Sequence, residues 1–375
     1  MPRRRDERGI ALLITILSLV VVGALVSGFF MSAILENRAG QNSRKVEQAF
    51  AAAEFGVTET IAKWDVVTWN VLPAMGVDSV AGASAGGSGR YDGAVRRLNN
   101  ELFLVDVTGY SGTGQARQRI GAIVKLRSIL FDVEAALTTR GPGTIGGNAG
   151  LNGTDNVPPG WDATCPPAGK AKAGLRVPNE DDIKWTGNCK GTACVTGDPK
   201  VYEDPFIDDD TFFDYGDGDW EALKSLANKR IPSGSFQNLA PSLDGGGDCN
   251  ISDQKNWGDP LNPTGPCGSY YPVIYVDGDI TLNTGMGQGL LLVEGDLSAQ
   301  GGFEFYGIVV VRGSLKSAGN GNKFVGGVLA ANVQLDDNTL IGTVGLNYSA
   351  CAVARAQQAA SAGSPLRSRG WVQLF

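Results

Sequence analysis

Two sets of side chains in the 375-residue chain have the types and spacing for chemistry. Asp208, Asp209, Asp210, Asp214, Asp217 and Asp219 place six carboxylates within twelve residues. Hard oxygen ligands suit calcium, which makes Asp208, Asp210, Asp214, Asp217 and Asp219 candidate ligands. Their spacing is not that of an EF-hand loop, and a solvated acidic turn that caps a following helix accounts for the same residues. The second set is six cysteines: Cys165, Cys189, Cys194, Cys249, Cys267 and Cys351. All lie beyond an apolar N-terminal segment and their number is even, which in an exported domain reads as up to three disulfides. Cys189-x4-Cys194 lacks the spacing and the partner pair of a zinc knuckle. Connectivity is not readable from spacing, although Cys249 with Cys267 would close a local loop.

Histidine is absent altogether. That removes Ser-His-Asp and Cys-His catalysis, HExxH metal sites and most zinc or haem ligation. Carboxylate chemistry and Ser-Lys dyads remain, but no cleft motif supports them, so no enzymatic activity and no cofactor other than calcium is expected. The net charge of −7 becomes −9 once the first nine residues, with four Arg against one Asp and one Glu, are set aside. A surface this acidic repels phosphate backbones, so no nucleic-acid partner is expected.

The elements that must position these residues begin with the apolar segment. Residues 10–35 carry no charge, and residues 10–31 are apolar except for Thr15, Ser18, Ser27 and glycines. A helix crosses a bilayer with about 20 such residues, whereas a secretory h-region runs to about 7–15 and ends in an A-x-A-type site. No such site follows here. Arg3, Arg4, Arg5 and Arg8 precede the run. The positive-inside rule then expects a cytoplasmic N-terminus, a single pass through the inner membrane, and a head beyond Leu35 on the far side. Val46, Phe50, Ala53, Val57, Ile61 and Trp64 continue at spacings of 4, 3, 4, 4 and 3, one face of a helix. No proline occurs between Pro2 and Pro73. The spacing predicts one helix over 10–64, about 80 Å long, apolar all round in its first half and packed on a head in its second.

Three blocks of this region, RGIALLITILSLVVVGALV, AILENRAGQNSRKVEQAF and AFAAAEFGV, resemble the N-terminal region of PilX-type minor pilins of type IV pili. The likeness covers residues 5–60, about 15% of the chain, and its specificity rests on three blocks in order. It implies a leader over 1–9, cleavage by prepilin peptidase between Gly9 and Ile10, and N-methylation of Ile10. Insertion of the apolar half-helix among major and minor pilins would follow. One position departs from the pattern. Most pilins carry a glutamate at the fifth residue after the cut, and here that residue is Ile14. A subunit without this carboxylate does not neutralise the N-terminus of a subunit already in the filament, which fits the tip or the initiating complex. The K-type pseudopilin of type II secretion shares the lack and a large head, and is the alternative within the class. A single-pass anchor that is never cut is the alternative without processing.

The expected fold class is α+β. Residues 65–139 read as a pilin-like α/β piece, with a Gly/Ser/Ala-rich flexible loop over 76–93 and a strand pair over 102–112 and 116–128. Residues 140–270 read as a loop-rich insertion holding five of the cysteines, with one helix over 219–228 capped by Asp217 or Asp219. Over 271–348 a repeat appears: VIYVDGDITL, LLLVEGDLSA and IVVVRGSLKS align without gaps at offsets of 17 and 18, with a degenerate VLAANVQL at 328–335. Units this short hold no crossover helix, so they read as stacked coils of a parallel β-solenoid, with an antiparallel meander as the competitor. Stacking aligns Asp277, Glu294 and Arg312, and beside them Asp279, Asp296 and Ser314. At about 4.8 Å between rungs, Asp279 and Asp296 are expected to repel unless solvated or bridged, and Arg312 to neutralise Glu294. A membrane-anchored β-helix carbohydrate-active enzyme would need basic residues clustered with these acids, and they are not clustered. Residues 349–375 read as a helix over 349–360 and a tail whose Trp371, Val372, Leu374 and Phe375 dock on the head. The expected function is a minor pilin that promotes pilus assembly or displays an adhesive head; a host-surface or polysaccharide ligand is not legible.

Overall fold

The computed structural model describes residues 8–375 apart from 66–67, 71, 85–88, 100, 127–128, 217, 333–337, 362, 366–370 and 375. Helix α1, Arg8–Ala62, runs for 55 residues, since no proline or chain break interrupts its backbone hydrogen bonds. Four strands follow: β1 Val77–Ala83, β2 Gly89–Arg97, β3 Leu102–Ser111 and β4 Arg117–Leu126. Each pairs antiparallel with the next. Along β3, Phe103, Val105 and Val107 are buried while the residues between them are half-exposed, the period-2 alternation of a sheet with one covered face. The expected loop over 76–93 is corrected here, because most of it forms the β1–β2 hairpin. Its small residues accept strand geometry once Tyr91 and Val95 of β2 supply the buried face. Two short C-terminal strands, Gly363–Pro365 and Trp371–Leu374, pair by their backbones with the other edge of β4. That places Trp371, Val372 and Leu374 on the head, while Phe375 lies outside the described residues.

The remainder is a second sheet, curled on itself, in which the described strand pairs are parallel. The chain winds so that each coil adds a rung to three faces. On the first face the rungs run 229–232, 273–277, 290–293, 308–311 and 328–330. The repeat read from sequence is therefore real and its pairing is parallel, not a meander. The stack does not end there. Val328–Ala330 pairs with Leu137–Thr139, which pairs with the strand Ala173–Val177, which pairs with Val201–Glu203. The second face continues likewise from 338–340 to 143–145 and 183–185, and the third from 345–347 to 150–152 and 195–196. Residues 140–203, read from sequence as part of a loop-rich insertion, thus supply short strands to the same stack.

Residues 204–228 return the chain from one end of the stack to the other along the outside of the first face. They carry the short helices α2, Asp210–Phe213, and α3, Trp220–Leu226. Trp220 donates from Nε1 to Glu294 at 3.0 Å, and Phe213 lies against Arg312. The inner first-face strands are covered on both sides, which is why they read as unbroken apolar runs such as Leu290–Val293, whereas the terminal rungs 229–232 and 201–203 keep exposed residues. Helix α4, Ala350–Ala360, is capped by Ser349 and packs outside the third face, against Tyr271, Tyr306 and Val325.

Candidate assembly interface

From Leu12 to Leu35 the side chains of α1 are exposed throughout, Phe29 and Phe30 at 74% and 67%. This is a helix long and apolar enough to cross a membrane. Each such Leu or Phe left in water forgoes roughly 1.5–3 kcal/mol of transfer free energy, so the half-helix requires a bilayer or other apolar helices around it. Ile14 is 55% exposed on this surface. Gly9 and Ile10 fall within the helical turn that begins at Arg8, and residues 1–7 of the expected leader lie outside the described residues.

Beyond Leu35 the helix meets the antiparallel sheet through small residues. Ala49, Ala52, Ala53, Val57 and Thr60 are buried. A Cβ on Gly109 of β3 would overlap Ala49 O and Ala53 N, so helix and strand backbones touch with no side chain between them. The expected face is corrected in part. Ala53 and Val57 are buried and Ile61 and Trp64 pack against the same cluster, but Val46 and Phe50 remain 42% and 41% exposed. Periodicity of large apolar residues points toward Phe50, whereas touching backbones admit only Ala and Gly.

The junction after α1 is tied to the end of α4 through Asn70. Asn70 is fully buried; its Oδ1 accepts from Trp64 Nε1 at 2.8 Å, and its Nδ2 donates to Gln358 O and Ser361 O, each at 2.7 Å. Gln358 Nε2 donates back to Asn70 O at 2.5 Å, and Arg97 donates to the same oxygen at 2.9 Å. Gln358 O, which also accepts from the capping Ser361 N at 3.3 Å, and Ser361 O just past the helix gain a side-chain donor in this way. Sequence reasoning missed Asn70, because a lone Asn between Trp69 and a proline three residues on reads as an ordinary turn residue.

The acidic cluster is spread over local turns. Asp208 accepts from Thr211 N at 3.1 Å, Asp209 pairs with Arg140 at 2.8 Å, and Asp214 accepts from Gly216 N at 3.0 Å. Asp210 opens α2 and Asp219 caps α3 by accepting from Ala222 N at 2.8 Å; Asp217 lies outside the described residues. Among the described residues no three acidic or cysteine side chains converge as metal ligands. All six cysteines are paired: Cys165–Cys351, Cys189–Cys194 and Cys249–Cys267. The first fastens α4 to the 155–166 segment, across 186 residues of sequence.

Of the two aligned columns, the one holding Asp279, Asp296 and Ser314 departs from expectation. Asp279 Oδ1 accepts from Asp296 N at 2.8 Å, and Asp296 Oδ1 accepts from Ser314 N at 2.8 Å, so each carboxylate grips the backbone of the next coil instead of facing its like. Gly295 and Gly313 leave the room, since a Cβ on either would collide with the Asp279 or Asp296 carboxylate. Burial raises the Asp296 pKa, but the Ser314 N–H and Lys316 at 3.0 Å outweigh it and hold the group below the ordinary carboxylate range. Glu294 is buried in part as well, which raises its pKa. Hydrogen bonds from Trp220 and Tyr275 and the charge of Arg312 bring it below the ordinary range. Arg312 does pair with Glu294, beneath the rings of Phe213 and Trp220.

No family model and no curated protein matches the chain. Among solved structures it is similar to the crystal structure of the competence-associated pilin ComZ from Thermus thermophilus, at 15% identity and a TM-score of 0.26, over 88% of this chain and 98% of that one.

Proposed function

We propose that the chain is a minor pilin whose helix α1 enters a type IV pilus and whose head is displayed, without catalysis, at the tip or in the initiating complex. Prepilin peptidase cuts between Gly9 and Ile10, Ile10 becomes the methylated N-terminus, and the helix waits in the inner membrane, N-terminus cytoplasmic, until other pilins receive it. The observation that carries this reading is the continuity of one helix. Its first half, behind Arg8-Gly9-Ile10, is exposed and apolar, and its second half is seated on an antiparallel sheet. A plain anchor needs the first half and has no use for the second. Ile14, in place of a carboxylate, supports the terminal position.

Intact mass and N-terminal sequencing of envelope-purified protein test the reading. A methylated Ile10 terminus is expected, and recovery of the full leader from Met1 in cells with active prepilin peptidase would overturn it in favour of an uncut anchor. Ile14→Glu is expected to allow incorporation along the shaft; labelling confined to the tip in that variant would refute the terminal placement.

A further inference from the structure

Beside the Cys165–Cys351 disulfide an open cavity of about 710 Å³ lies between α4, the turn at Thr164 and the loop carrying Pro263 and Ser269. That volume falls among small-ligand sites, roughly 300–1,000 Å³. Its walls are mostly apolar, from Pro166, Pro263 and Ala354, and Arg355 is the charged residue among those described.

Arg355 is held in place from several directions. It donates to Tyr271 OH at 2.7 Å and to Thr164 O at 3.1 Å, and its guanidinium lies 4.9 Å from the Trp161 ring centre and 5.6 Å from that of Tyr271. Trp161 is itself fully buried and anchored by Nε1 donating to Pro260 O at 2.7 Å. A guanidinium has five N–H donors, and these contacts use only some of them. Arg119, Arg140, Arg176 and Arg312 pair with Asp106, Asp209, Asp204 and Glu294. Arg355 has no such carboxylate among the described residues, in a chain whose net charge is −7. A fixed cation facing an apolar cavity is poised for an anion that the protein itself does not supply.

We infer that this cavity binds a carboxylate carried on a short apolar skeleton, the chemistry shared by the free C-terminus of an aliphatic peptide and by a small aliphatic acid. One guanidinium matches one negative charge. A phosphate would bring a second charge against apolar walls with no second cation to meet it. A neutral sugar would leave the guanidinium unpaired; Trp161 is fully buried, and Tyr271, which does line the cavity, is 7% exposed with Arg355 already over its ring and on its hydroxyl. Gln358, whose amide nitrogen is already on Asn70 O, and Ser269 add polar groups to the lining. The inference does not depend on the pilin reading.

The test is calorimetric titration of the full-length protein in detergent with N-acetyl-Val-Leu bearing a free carboxylate, with its C-terminal amide, and with pentanoate. The Arg355 Nε–H resonance is followed in parallel. The acid is expected to bind about tenfold to a hundredfold more tightly than the amide and to shift the Arg355 signal. Ala354→Phe, at an exposed helix position, is expected to abolish binding with the melting temperature retained. Arg355→Lys keeps the charge but loses the fork, and is expected to weaken the acid selectively. A stronger response to the dipeptide identifies a peptide terminus, and an equal response to pentanoate a free acid. Equal binding of acid and amide, no binding of either, or undiminished binding to Ala354→Phe would overturn the proposal.

Discussion

Asp279 and Asp296 show what a single side chain contributes to the stack. Each reaches over a glycine of the following coil to an N–H group, so the Gly-Asp step of the repeat is a paired requirement. Gly295→Ala is expected to cost about 1–3 kcal/mol through overpacking, read from the urea midpoint. Asp279→Ala alone is expected to lose about 1 kcal/mol of hydrogen bonding. Because it also removes the nearest colliding atom, leaving the backbone of Gly278 and Asp279 at 2.7 Å, the double variant should be somewhat less destabilised than the sum of the two, and strict additivity would show that the backbone clash alone sets the cost. Titration follows from the same geometry. Asp296 and Glu294 have folded pKa values below the ordinary ones. Their contribution is therefore present in full above the unfolded value, about 4, and is lost as pH falls through the lower folded value. Thermal melts between about pH 5 and pH 2 should show a steepening loss that Asp296→Asn flattens; an unchanged profile would count against the assignment.

At the scale of elements, the seat of α1 is set by where two backbones touch. Gly109→Ala is expected to cost about 3 kcal/mol and to raise amide exchange over 49–60, because the helix must lift from β3. Gly150→Ala, where an added Cβ meets nothing, serves as the control and should stay within about 0.5 kcal/mol. Protection of 49–60 unchanged in Gly109→Ala would show that the helix is held elsewhere. Length and continuity of α1 were legible in the apolar run and the absence of proline. Its packed face was legible only in part, since periodicity weights Val46 and Phe50 for their size and cannot register that the strand opposite presents a glycine. The same blindness applies to β1, whose Gly and Ala content reads as loop until β2 is beside it.

The whole molecule is held by connections that jump along the chain. Cys165–Cys351 closes 186 residues, and a cross-link of that span is worth about 5 kcal/mol in the unfolded-chain model. The Cys165→Ala/Cys351→Ala double variant is accordingly expected to melt well below the parent and to become protease-sensitive first around 155–166 and α4. Loss of stability with no local cleavage there would argue that α4 is held by Asn70 and the third face without the bridge. Local periodicity in the amino-acid sequence by itself determined the long apolar helix and the coil repeat over 273–317, because each is written along one continuous segment; that the coils pair in parallel and not as a meander was settled by the structure. Only the tertiary structure decided that 135–203 continue the stack beyond Val328, that aspartates grip the next coil, which cysteines meet, and that Asn70 receives the end of α4. The Cys165–Cys351 pairing, the Asn70 contacts and the continuation of the stack depend on partners far away in sequence, and no local pattern names a distant partner before the chain has folded onto it; Cys249–Cys267 and the aspartate contacts are nearer in sequence, but only the folded register decides them.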